Sequence, residues 1–364
     1  MTLKKIIEGS TLSPVQLAKS IKSLKSLTES HTEYEELKKE FIPEGQIDRI
    51  TQIIKGLEQE DEFAILCRLM GTCQSLVGID QTPIVANNTE VAPDFLAQFT
   101  PGCRVLVKSS SELKLAFRCF VEVKSSQKEY FKISKRDFNQ RLNFAKRYGL
   151  PLIFAVRLLA NNGAALWVIA DAEYLEKHDR RLNVSMLNKG IRHLLFDEYL
   201  VIPMPNLHMV HYYDSKSKEL GMKHRVYGTQ VKSFFLFQDV QFEIPKEELF
   251  IYSVIANVFQ PEEVRVQTKD NITEQLLRFG NQARTICDML YAINRLATDE
   301  HGDLLFDPSR LSTRFDSPAN PPKLITREMI EYYTALRVKS KPMFLILGFE
   351  EPEQHLKRLK ELCS

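Results

Sequence analysis

No stretch of this 364-residue chain approaches the run of about 20 apolar residues that a membrane-spanning helix needs. The opening "MTLKKIIEGSTLSPVQ" lacks the apolar core and small-residue cleavage site of a secretory signal, so a cytoplasmic location is expected. There is no GxxxxGK[ST] and no GxGxxG, which argues against ATP-driven motion within the chain. Cysteines 67, 73, 103, 119, 287 and 363 form no CxxC pair and no knuckle-like spacing with histidine. In a reducing compartment they read as buried thiols, and the spacing supports no structural zinc site. Internal repeats and low-complexity tracts are also missing.

What is present is the texture of a globular protein, with 44% hydrophobic and 26% charged residues. The length suits two ordinary domains better than one. A net charge of +2 hides a local excess. Residues 101–150 carry twelve basic side chains against four acidic ones, a segment of +8. Such an excess suits a polyanionic partner, although a solvated basic face balanced by distant acids has the same composition.

The first 75 residues read as helical. Ser13 and Pro14 form a start signal, and "QIDRITQIIKGL" and "EDEFAILCRLMGTC" carry apolar residues at helical spacing. Between 92 and 124 "DFLAQF", "CRVLVKSS" and "LKLAFRCFVEVK" read as strands separated by turn signals. A helix over "SKRDFNQRLNFAKRYG" follows, with Phe138, Leu142 and Ala145 on one face and Gly149 as its stop. "LIFAVRL" and "AALWVIADAEYL" return as buried strands. The expected fold is α/β, a mixed central sheet with flanking helices. The expected organisation is a helical lead-in over 1–75, a core over 76–180 and an α+β region over 181–364. In that last region one long helix is expected from Ile272 to Ala297, apolar around much of its circumference and suited to a core or a dimer interface.

Glu122 and Lys124 stand two residues apart at the end of the apolar strand "CFVEVK", so both point to one face. A carboxylate that holds a hard cation, beside an ammonium near the attacking water, is what phosphodiester hydrolysis requires. The carbonyl of Val123 offers a further oxygen. Asp94, in "PDF", is placed to supply a second carboxylate, with Asp80 in "VGID" as the alternative.

The pair "PDF" at 93–95 and "CFVEVKSS" at 119–126 resembles the PD-(D/E)xK nuclease superfamily, whose core is the restriction-endonuclease-like fold. The likeness extends through "FKISKRDFNQRLNFAKRYGLPLIFAVRL" and covers roughly residues 60–180. It implies that Asp94 and Glu122 bind metal and that Lys124 is catalytic. It also implies a helix residue at the site, for which Gln140 is the candidate, and an acid from the preceding helix, where Glu60, Glu62 and Glu90 stay open. The interval from Asp94 to Glu122 is longer than in compact versions of the motif, and a hairpin over "CRVLVKSSSELKL" would absorb it. The implied activity is Mg²⁺-dependent endonuclease, with Mn²⁺ as substitute. The implied substrate is double-stranded DNA, in a restriction or defence setting, with a homodimer to make paired cuts. The alternative is a catalytically inactive nucleic-acid-binding or scaffolding protein on the same fold.

Other signals are weaker. In "HMVH" the imidazoles of His208 and His211 diverge if the segment is a strand. Lys223, His224 and Arg225 read as a basic turn, and His178–Asp179 as a polar loop. Trp167 and the run Phe234, Phe235 and Phe237 read as core, although the bases and aromatics of "RVYGTQVKSFFLFQDVQF" would also suit a nucleic-acid surface.

Overall fold

The computed structural model describes residues 13–25, 28, 31–79, 90–101, 115–160, 165–187, 189–218, 223–238, 240–296, 324–335, 337–338 and 341–363. Asp80, most of the expected hairpin, Cys103 and the Pro-rich segment at 316–323 lie outside them.

Three helices lead in, α1 (Pro14–Leu24), α2 (His31–Phe41) and α3 (Ile47–Met70). Ser13 caps α1 through a capping box with Gln16, which satisfies backbone donors the helix itself cannot. Gly71, at φ 72°, ends α3 in the left-handed conformation that glycine adopts without penalty. The central sheet then forms from β1 (Cys73–Gly78), β2 (Phe95–Phe99) and β3 (Phe117–Ser125). After the short β4 (Tyr130–Lys132) and helix α4 (Lys135–Arg147), β5 (Leu152–Leu159) and β6 (Ala165–Asp171) complete it. Its order is β1-β2-β3-β5-β6. The β3–β5 pair is parallel and the others antiparallel, so α4 is the crossover that a parallel pair demands.

The two faces of this sheet divide the chain's work. Phe120, Phe154 and Val156 pack against Phe138 and Ala145 of α4, with the Phe138 and Phe154 rings stacked 5.7 Å apart. Val121, Val123, Ile153 and Ala155 face Phe63, Leu66 and Met70 of α3. The fold class is therefore the mixed α/β arrangement that the sequence led one to expect.

Past β6 come α5 (Ala172–Lys177), β7 (Arg181–Asn183), which pairs with β4, and α6 (Arg192–Leu195). Strands β8 (Leu200–Pro203), β9 (Leu207–Asp214), β10 (Lys223–His224), β11 (Gly228–Phe237) and β12 (Val240–Glu243) follow. Next are α7 (Leu249–Val258), β13 (Glu262–Lys269), β14 (Ile272–Arg278), β15 (Arg284–Thr285) and α8 (Ile286–Leu296). The chain closes with α9 (Arg327–Thr334), β16 (Arg337–Val338), β17 (Lys341–Pro342), β18 (Phe344–Leu347) and α10 (Pro352–Cys363). A second, antiparallel sheet runs β10-β11-β9-β14-β13, with β12 added to β11.

The long helix expected from Ile272 to Ala297 is not formed. Its first part is strand β14, and only the second is helix α8. Gly280 and Asn281 fall between them, a break that outweighs apolar continuity. The first strand was also missed, because β1 is a largely exposed edge strand with little apolar patterning.

One apolar cluster runs from Phe63 and Trp167 through Leu194 and Phe235 to Ile286 and Met289, so the C-terminal region shares a core with the central sheet. Two buried arginines tie these parts. Arg192 donates to both carboxylate oxygens of Glu198 at 2.9 Å and to the carbonyl of Trp167 at 2.9 Å. Arg327 donates to the carbonyls of Phe196 and Asp197 at 2.7 Å each. Phe234, Phe235 and Phe237 are buried, as packing residues should be.

Candidate active site

The register of β2 on β3 sets the geometry. Phe95 pairs with Val121 and Leu96 with Phe120, so the next position along places Asp94 across from Glu122. Residues directly opposite in an antiparallel pair share a face. Of the long interval between them, residues 102–114 lie outside the described residues; β2 ends at Phe99 and β3 begins at Phe117. Asp94 Oδ2 accepts the backbone N–H of Val123 at 2.7 Å, which locks the carboxylate against β3.

Glu122 is fully buried. It forms ion pairs with Lys124 on its own strand and with Arg141 on α4. Both ion pairs fall on Oε1, and neither carboxylate oxygen has an aligned hydrogen-bond partner among the described residues. Burial pushes its pKa up, Lys124 draws it down, the Asp94 charge raises it again, and Arg141 lowers it. The Lys124 ammonium also donates to the carbonyl of Val123 at 3.1 Å. One cation thus already touches two of the oxygens expected to hold a metal.

The three acids left open by the sequence separate cleanly. Glu60 on α3 is pushed up to about 8, chiefly by burial and next by the charge of Asp94, while Lys22 and Lys124 pull it down and Asp61 adds to the rise. It therefore belongs to the same charge cluster. Glu62 faces elsewhere. Its Oε1 accepts from Arg157 at 2.9 Å, Trp167 Nε1 at 3.2 Å and Tyr291 Oη at 2.6 Å, a packing node between α3, the sheet and α8. Glu90 pairs with Arg147 at 2.7 Å.

Gln140, the helix residue expected at the site, lends its backbone carbonyl to the N–H of Val91 at 3.4 Å. The α4 residue that reaches Glu122 is its neighbour, Arg141, which sequence reasoning passed over. The signal was available, because position 141 lies three after Phe138 and four before Ala145, on the buried stripe of α4. A charged residue on that stripe needs a buried partner.

By donor type, the carboxylates of Asp94, Glu122 and Glu60 and the strand carbonyl of Val123 are the all-oxygen set that a hard divalent cation takes, although the three carboxylates do not all lie within 4.8 Å of one another. Burial is the first cause of the rise at both Glu60 and Glu122, and the Asp94 charge adds to it. On α4, Lys135, Arg136, Lys146 and Arg147 are exposed, and Arg147 pairs with Glu90. Among the described residues no helix is long and apolar enough to cross a membrane.

No family model matches the chain, and no curated protein matches it. Among solved structures it is similar to Hjc, a Holliday junction resolvase from the archaeal hyperthermophile Archaeoglobus fulgidus. The match has 16% identity and a TM-score of 0.26, and covers 37% of this chain and 93% of that one.

Proposed function

We propose that this chain is a metal-dependent nuclease that hydrolyses phosphodiester bonds at the β2–β3 site, with Mg²⁺ as the working ion and Mn²⁺ as a substitute. The observation that carries the proposal is the cross-strand placement of Asp94 opposite Glu122, with Lys124 two residues along the same face. Asp94, Glu122 and Glu60 would hold the ion, together with the Val123 carbonyl. When bound, that ion supplies an activated water and positive charge at the phosphate. The Lys124 ammonium then leaves Glu122, orients the attacking water and offsets the charge that develops on the phosphate oxygens. Arg141 stays on Glu122 and fixes its rotamer. The exposed bases of α4 contact the nucleic-acid backbone. Double-stranded DNA as substrate, a restriction or defence role and a dimeric assembly fit this reading and belong to it as proposals.

A second reading has one observation in its favour. Glu122 is fully buried and already paired with two cations, which also describes an inactive nuclease fold that only binds nucleic acid. Plasmid and RNA cleavage with Mn²⁺, set against EDTA, separates the two. The nuclease reading expects metal-dependent cutting that Lys124→Ala lowers by at least about a hundredfold, the lower range for a positioned proton-transfer group. Binding should persist and weaken with salt. A Lys124→Ala protein that cuts as fast as its parent removes the assignment.

A further inference from the structure

Far along the chain from these carboxylates, three side chains meet around α6 and α10. His193 lies in α6, and Glu350 and His355 come from the turn before α10 and from its first half. One ligand atom of each lies within 4.8 Å of the others. The two imidazoles are 2% and 3% exposed, and their ring centroids are 6.1 Å apart. His193 Nε2 is 3.1 Å from Glu350 Oε1. That contact leaves His193 Nδ1 and Glu350 Oε2 buried without a hydrogen-bond partner. Buried polar atoms in this condition are costly, so a hydrogen-bond network alone accounts for the cluster poorly.

We propose that His193, Glu350 and His355 bind one transition-metal ion of the zinc class, which clamps the C-terminal helix to the core. Two imidazoles and a carboxylate are a zinc-type donor set, distinct from the all-oxygen cluster at the β2–β3 site. Arg358 is the feature that opposes a cation here, since it pairs with Glu350. Its side chain is 33% exposed, however, so the guanidinium has water to move into, or it can stay on one carboxylate oxygen and orient the other toward the ion. The fixed charge of Arg192, next to His193, is already matched by Glu198. The burial of both rings fits a structural clamp better than a site that must admit substrate. The residues come from segments more than 150 positions apart, which is why no sequence spacing disclosed them.

The test uses the full chain carrying Glu122→Gln, so that the carboxylate site does not compete, and Co²⁺ as an optical probe. The expected result is one tightly bound equivalent with a visible absorption band, and a thermal midpoint raised by Zn²⁺. His193→Gln or His355→Gln should weaken binding by at least about tenfold. His355→Cys should keep the ion and add a thiolate-to-Co²⁺ band in the near ultraviolet. That gain-of-signal variant keeps the test decisive even where a glutamine variant fails to fold. Stoichiometric binding absent in the Glu122→Gln chain, binding unchanged by His193→Gln in a folded protein, or no thiolate band from folded His355→Cys would each overturn the proposal.

Discussion

Replacing Glu60 with Gln separates a working site from a structural one, because the two roles move stability in opposite directions. A residue that holds the fold together destabilises it when removed. An acid kept beside other acids for function does the reverse. In the folded, metal-free chain Glu60 titrates at about 8, up from its ordinary 4.5, with burial and Asp94 as the main causes. The unfolded chain has lost its proton by pH 7 while the folded chain keeps it. Stability from this group is therefore greatest near pH 4.5 and declines as pH rises toward 8. Each pH unit of that window is worth about 1.4 kcal/mol, so the cost at pH 7 has a ceiling of about 3 kcal/mol. Glu60 is only partly buried, and solvent screening brings the expected gain in Glu60→Gln to about 1–2 kcal/mol. Urea melts in EDTA at pH 5, 7 and 8.5 measure this, with the gain largest at the highest pH. With Mn²⁺ added, the order should reverse, since a bound ion stabilises the parent by about 2.7 kcal/mol at a hundred times its Kd and the variant by less. A Glu60→Gln protein that is less stable than the parent in EDTA at pH 8.5 would make Glu60 a structural residue instead.

Further outcomes follow from the buried polar groups. Arg192→Ala should cost about 3–5 kcal/mol, because it leaves Glu198 buried and unpaired; chemical denaturation at constant m-value checks this. His211 is buried beside Ser233 and Gln230, and burial, reinforced by the charge of His224, pushes its pKa down from 6.5 to about 4. Its contribution to stability is complete above pH 6.5 and is lost as pH falls toward 4, up to about 3 kcal/mol; His211→Gln should flatten that part of the stability–pH curve relative to the parent.

Much of the central sheet was legible because its signals are local and agree with one another. Ser134 caps α4, Gly149 follows its end at φ 65°, and β3 and β5 are the apolar runs of buried strands. The Asp94–Glu122 pairing was legible only as a motif; the register that realises it is a long-range property. Arg141 was hidden behind the habit of reading charged helix residues as solvent-facing, although its spacing from Phe138 and Ala145 placed it inward. The C-terminal region defeated pattern reading for a different reason. β14 buries Thr273 and Gln275, so its alternation is polar where a hydrophobic count looks for apolar side chains. Gln275 is held in place by Tyr213 at 3.1 Å and Glu263, partners that lie on other strands and leave no trace in the local sequence.

The most direct test of the central claim is a crystal of the full chain soaked in Mn²⁺, with anomalous scattering measured at the manganese edge. The expected result is a peak within coordination distance, about 2.0–2.3 Å, of carboxylate oxygens from both Asp94 and Glu122, with the Lys124 ammonium displaced from Glu122. A crystal that shows full manganese occupancy elsewhere, while Lys124 and Arg141 remain on Glu122, would contradict it.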